Sequence, residues 1–285
     1  MAIQTCSSSE LANAQRSVLA KTRFTAEHQA PCSNLIEKFD LGQGEKQITL
    51  PKVGQMSAAH LQEGVEIGET QDIGMATTDL TPSEVGLKIL MTYKMIRQQN
   101  DNVFKMVGRQ SGDAIARIKD TDIIALFSGF SNTAGGAGKN MSFANWSGCA
   151  AIMKQLKAKA PIACVHHPYA VYYMMKDVAQ VGSFPINGGL SEQLLRDFWH
   201  MTFNDITLFH DGNIEPDALD DAVGAMFSKQ AMTIVESLGL SSERERNASL
   251  RATELIVVAD YGWYETEDSY GLAMTYDAAT PTTNA

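Results

Sequence analysis

The sequence predicts an α+β protein in which an N-terminal arm, an extended β-hairpin and a long helix join a mixed α/β body. Three observations carry that prediction. The first 46 residues are polar, with few apolar anchors. Residues 47–82 alternate polar and apolar on either side of a middle rich in glycine and acid. Residues 92–128 hold an apolar period of about 3.6. The composition, 44% apolar and 20% charged over 285 residues, is globular. It excludes a disordered, collagen-like or disulfide-framework chain. The length admits one large domain or two small ones.

In residues 1–46, Ser7-Ser8-Ser9 can cap a short helix over 10–20, and Pro31, Gly42 and Gly44 follow. Such a segment is by default a frayed terminus; otherwise it is an arm that orders against a neighbour. Gln47-Ile48-Thr49-Leu50-Pro51-Lys52-Val53 has the alternation of a half-buried strand. Glu63-Gly64-Val65-Glu66-Ile67-Gly68-Glu69 follows, then a return run from Met75 to Pro82 and on through Val85 to Met91. The tip has little to bury, so the hairpin is not stable alone and packs on something outside its own domain.

In residues 92–128, Ile96, Val103, Val107, Ala114 and Ile118 form one apolar stripe, with Arg97, Lys105, Arg109 and Lys119 on the other faces. At 1.5 Å per residue this helix reaches roughly 50 Å. Gly108 and Gly112 weaken it by up to about 1 kcal/mol each. Beyond it the sequence predicts a loop at 135–140, helices over 143–158, 169–178 and 191–200, and strands at 162–165 and 206–209. An apolar approach at 220–226 leads to a strand or helix at 231–238. Strand patterns follow at 250–261 and 272–276, and 280–285 forms a loose tail.

Charge and cysteine use narrow the function classes. The chain carries 23 basic and 33 acidic residues, net −10, with no basic cluster of the kind a duplex reader needs. Residues 47–80 hold one basic residue, Lys52, and five acidic ones, whereas 81–128 hold seven basic and five acidic. These two stretches attract each other, within one chain or between copies. The longest apolar runs are too short for a membrane helix, and the start lacks a secretory pattern. Cys6, Cys32, Cys149 and Cys164 fall in no metal or redox spacing and read as reduced thiols.

The chemical constellations are weak. Gly135-Gly136-Ala137-Gly138-Lys139-Asn140 lacks the spacing and the hydroxyl residue of a phosphate loop. His166 and His167 are adjacent, so on an extended chain they face opposite ways and do not share an ion. Asp211, Glu215, Asp217, Asp220 and Asp221 do not follow the calcium-loop pattern and read as a solvated turn. Cys149 reads as core, and no Gly-x-Ser-x-Gly elbow is present. No catalytic residue, metal or cofactor is therefore expected.

The order of elements resembles the HK97-fold major capsid proteins of tailed bacteriophages. The resemblance rests on Ile48-Thr49-Leu50-Pro51 before Glu63-Gly64, on Leu80-Thr81-Pro82-Ser83-Glu84-Val85-Gly86, and on the helix running to Ile123-Ile124-Ala125-Leu126. It also rests on Ile162-Ala163-Cys164-Val165-His166-His167-Pro168-Tyr169 and on Tyr261-Gly262. It implies an N-terminal arm over 1–46 and an E-loop over 47–82 that lies on the adjacent subunit through Glu63, Glu66, Glu69 and Asp72. It implies a peripheral domain of 83–129 and 241–279 whose spine helix, 92–128, contains Ile96, Arg97, Val103, Arg109 and Ile118. It implies an axial domain over 130–240.

The family has no catalytic centre. The resemblance implies hexamers and pentamers forming an icosahedral head around double-stranded DNA, held without sequence-specific contacts. A portal protein and a decoration protein are its further partners; there is no membrane. A 46-residue arm is too short to hold a scaffolding domain, so a separate scaffolding protein is expected. Lys52 is the single lysine of the hairpin and sits near its base, so non-covalent stabilisation is expected. Two alternatives stand beside this reading: an encapsulin-like bacterial compartment with the same fold, and a soluble α/β enzyme.

Overall fold

A computed structural model of the chain describes residues 31–281, apart from 43, 54–55, 57, 59, 61–73, 99–100, 181–200 and 204. Helix α1 (Cys32–Leu35) leads into β1 (Glu37–Asp40). β2 (Ile48–Val53) and β3 (Met75–Leu80) form an antiparallel ribbon, with Ile48 opposite Leu80. β4 (Ser83–Thr92), α2 (Tyr93–Gln98) and α3 (Asp101–Ala125) follow, and a 3-10 turn (Leu126–Gly129) closes α3. Then come β5 (Thr133–Gly135), α4 (Phe143–Gln155), β6 (Ile162–His166), α5 (Pro168–Gln180), β7 (Met201–Phe203), β8 (Ile206–His210) and β9 (Asp221–Ser228). β10 (Met232–Asn247), β11 (Ala252–Glu265) and β12 (Gly271–Asp277) complete the chain.

Two larger sheets organise these elements. One has the order β1-β10-β11-β4, the other β5-β12-β9-β6-β8-β7. β6 lies inside the six-stranded sheet and all five of its residues are buried, as an uninterrupted apolar run requires. Ser142 caps α4 by accepting the Asn145 N–H at 3.2 Å. That helix buries Trp146, Cys149, Ala150 and Met153, a spacing that keeps one stripe on the sheet. Pro168 opens α5, where its missing N–H costs nothing.

One core joins the two sheets. Ile115, Ile123 and Phe127 from the α3 segment pack with Phe227 of β9, Ile234 of β10 and Val257, Ala259 and Tyr261 of β11. The Phe127 and Phe227 rings lie 5.6 Å apart. A second core lies under α4 and α5. The six-stranded sheet is packed closely enough that Gly224 admits no side chain. A Cβ there would lie 2.4 Å from the His166 ring and 2.5 Å from the Val165 carbonyl oxygen.

The structure corrects several expectations. The stripe on the long helix is in a different phase: Ser111, Ile115, Asp120 and Ile123 are buried, while Ile118 is 39% exposed. The mean spacing fits a helix in any rotation, and contact with β11 and α1 selects the Ile115 and Ile123 side. Ile96 lies on α2, and the expected span 92–128 begins on the last residue of β4 and ends in the 3-10 turn. The run through Val85 and Met91 is not hairpin; it is β4, paired along its length with β11. Gly262, Trp263 and Tyr264 continue β11.

The division into 130–240 and 241–279 does not follow the sheets. The chain crosses to the four-stranded sheet before Met232 and returns to the six-stranded sheet at Gly271. Burial is almost continuous from β9 into β10 within one core, so hydropathy does not mark the crossing.

Candidate assembly surface

The ribbon β2–β3 is fastened at its base and bare above it. Leu80 is fully buried with Leu41 and Val235, and Phe39, Ile48, Leu50 and Tyr264 pack around them. The Tyr264 hydroxyl accepts the Thr81 N–H at 2.9 Å and donates to the Thr81 carbonyl at 2.5 Å. These bonds fix the ribbon at its junction with β4. Higher up, Thr49, Pro51, Lys52, Ala76, Thr77, Thr78 and Asp79 are all exposed. Lys52 reaches Glu267 at 2.7 Å and its side chain remains 57% exposed. Burial pushes the Glu267 carboxyl up, but hydrogen bonds from Lys52 and Ser269 outweigh it and hold the group below its ordinary value.

The far half of the four-stranded sheet is also uncovered. β10 is buried at its start and exposed over most of its later length, where Leu238 and Leu240 are 47% and 60% exposed. At this end Thr92, Tyr93, Lys94, Arg97, Leu250 and Arg251 line a cavity of about 380 Å³ with three exposed cations. The Arg246 Nε donates to the Tyr93 hydroxyl at 2.6 Å, which orients that ring.

The residues singled out in the sequence are placed unevenly. Arg97 lines the cationic cavity, and Ile96 beside it is half-buried. Arg109 is exposed on α3, 3.9 Å from Asp113. Val103 belongs to α3, with its side chain outside the described set. Glu63, Glu66, Glu69 and Asp72 lie outside the described residues, as do Cys6, the helix expected over 10–20 and the helix expected over 191–200.

The weak chemical constellations have structural partners. The His166 ring is fully buried; Nδ1 accepts the His167 N–H at 2.9 Å and Nε2 sits 3.1 Å from the Met274 carbonyl. Burial lowers its pKa to about 4, against the Met274 carbonyl, which raises it. The Gly138 N–H in the glycine loop is already taken by the Asp221 carboxylate at 2.7 Å. Asp217 Oδ1 accepts the Leu219 and Asp221 N–H groups and closes its own turn.

One cluster escaped sequence reasoning. Cys32, Asp120 and Asp211 are buried, and one side-chain sulfur or oxygen atom of each lies within 4.8 Å of the others. They are 88 and 179 residues apart along the chain, so no local spacing announces them. Each is held by protein partners: Asp120 takes the Cys32 N–H at 3.0 Å and the Asn213 amide at 3.1 Å, and Asp211 takes the Asn213 N–H at 2.9 Å.

No protein-family model matches the chain, and no curated protein matches it either. Solved structures do. A structure of Mycobacterium phage Che8 superposes with a TM-score of 0.71 at 11% identity, covering 88% of this chain and 93% of that one. The capsid of cyanophage P-SCSP1u gives 0.68 at 14% identity, covering 92% of each chain. The capsid of a native GTA particle gives 0.66 at 12% identity, covering 92% of this chain and 99% of that one. The chain therefore has the fold of phage capsid subunits. Within that class the fold is of the HK97 type, built here from the ribbon, the long helix and the two larger sheets.

Proposed function

We propose that the chain is a major capsid protein that self-assembles into hexamers and pentamers of an icosahedral head, with the virion as its place of work. It acts as a structural subunit rather than an enzyme. The observation that carries this reading is the ribbon whose strands leave seven side chains exposed above a fastened base. Such an element gains its stability by lying across a neighbouring copy.

In this reading the ribbon and residues 61–73 form the E-loop. Its acids Glu63, Glu66, Glu69 and Asp72 meet basic surface of the next subunit, for which Lys94, Arg97 and Arg251 are the candidates. The four-stranded sheet with α3 forms the peripheral domain, and the six-stranded sheet with α4 and α5 the axial domain. Residues 1–30 form an arm on a neighbour; the rest of the expected arm does not, because α1 and β1 are built into this chain's own core and four-stranded sheet. A portal protein, a separate scaffolding protein, a decoration protein and double-stranded DNA complete the partners. The net charge of −10 lets DNA slide within the shell instead of binding it.

Sizing and negative-stain imaging of the purified full chain test the reading. Closed shells of megadalton mass are expected; a discrete small oligomer at assembly concentrations overturns it. A triple variant Glu63→Lys, Glu66→Lys, Glu69→Lys is expected to assemble poorly and to lose the salt sensitivity of the native contact. Normal particles from that variant would remove the charge-pairing part alone. Particles from the native host that hold DNA and a portal at one vertex separate a phage head from an encapsulin-like compartment.

A further inference from the structure

We propose that Asp120, Asp211 and Cys32 form a proton-operated latch that ties the root of the N-terminal arm to the body and loosens as pH rises. Three segments remote in sequence meet there. Asp120 lies on α3, Asp211 follows β8 of the six-stranded sheet, and Cys32 opens α1, just ahead of the strand that edges the four-stranded sheet. None of the three is more than 1% exposed.

The donor count points to one shared proton. Asp120 already accepts from the Cys32 N–H and the Asn213 amide, and Asp211 Oδ1 accepts from the Asn213 N–H. The Cys32 thiol donates to Asp211 Oδ2 at 3.8 Å, and a carboxylate oxygen of Asp211 lies within 4.8 Å of one of Asp120. None of these partners carries a positive charge. Two buried carboxylates held this close, with only neutral donors on them, repel each other, and one proton shared between them relieves that repulsion.

Among the described residues, the charged neighbours of Asp120 on α3 have partners of their own. Lys119 bonds Glu236 at 2.9 Å and Asp122 accepts from Tyr261 at 2.8 Å. From β6, His166 offers only its backbone carbonyl, to the Asp211 N–H at 3.0 Å. His210, half-buried, precedes Asp211 at the end of β8.

Burial first, and then the hydrogen bond with Asp120, push Asp211 up to about 8. The folded value lies above the unfolded one, so the latch is at full strength below about pH 4, weakens as pH rises, and has lost its contribution above about pH 8. Opening that wets the pair therefore becomes about tenfold easier from pH 6 to pH 7 and about fivefold easier from pH 7 to pH 8, then levels off. Asp211→Asn keeps the geometry, because its amide donates to Asp120 as the acid does, and it removes the proton.

The test is alkylation of Cys32 in the folded full chain, read by mass spectrometry of the Cys32 peptide. The rate ratio of native protein to Asp211→Asn cancels the thiol's own pH dependence. That ratio is expected to rise about tenfold from pH 6 to pH 7, about fivefold from pH 7 to pH 8, and then flatten; a constant ratio overturns the latch. Hydrogen exchange of residues 32–40 in the native protein gives a second reading, needing no variant. Corrected for intrinsic base catalysis, their protection is expected to fall over the same window while that of 221–228 holds. Equal behaviour of the two segments overturns the latch. The latch belongs to the single subunit, so its failure and a failure to form shells are separate results.

Discussion

Leu80 anchors the ribbon, and replacing it with alanine separates the ribbon's stability from that of the body. Its side chain is fully buried, yet it sits outside the core that joins the two sheets, in a small cluster with Leu41 and Val235. Leu→Ala removes about three carbons' worth of apolar burial, and with the residual cavity such changes cost about 2–5 kcal/mol. Ile48 and Leu50 at the cluster rim are half-buried and able to relax, so the lower end applies, about 2–3 kcal/mol. That corresponds to a local opening about 30 to 150 times more frequent. Hydrogen exchange read by mass spectrometry is the assay. The amides of 48–53 and 75–80 are expected to lose protection by that factor, while those of β9 change by less than about twofold. Leu80→Met, which conserves volume, is expected to stay near the native pattern. Equal losses in ribbon and β9 would show that the ribbon is part of one cooperative core, and the reasoning would be refuted.

Four further outcomes follow from the same structure. Gly224→Ala forces the β6 backbone or the His166 ring to move and is expected to cost about 1–3 kcal/mol in a thermal melt. Gly148→Ala, in α4 with open space around it, is expected to raise stability by about 0.5–1 kcal/mol. Tyr261→Phe deletes the bond to Asp122 at 2.8 Å and is expected to lower denaturation free energy by about 1 kcal/mol; an unchanged midpoint would count against that bond. The hydrogen bond from Lys88 holds Glu254 below its ordinary value, so its contribution is present above about pH 4.5 and lost as pH falls through the lowered folded value. Melts at pH 6 and pH 3.5 are expected to differ less in Lys88→Met than in the native chain.

Several parts of this protein were legible in the residues themselves. The alternation in Ile48-Thr49-Leu50 and the glycine-rich acidic stretch announced the ribbon. The Val/Ile-rich run at 162–165 announced a buried strand, and Pro168 a helix start. These signals are local: strand alternation, proline's fixed backbone and helix period act within a few residues. What tertiary structure alone decided was which face of each element turned inward and which distant segments met. The helix period at 101–125 does not say that Ile115 faces the core and Ile118 the solvent; β11 and α1 chose that. Nor does any spacing bring Cys32, Asp120 and Asp211 together. Burial depends on contacts between residues far apart in the chain, and one sequence carries no direct record of those pairings.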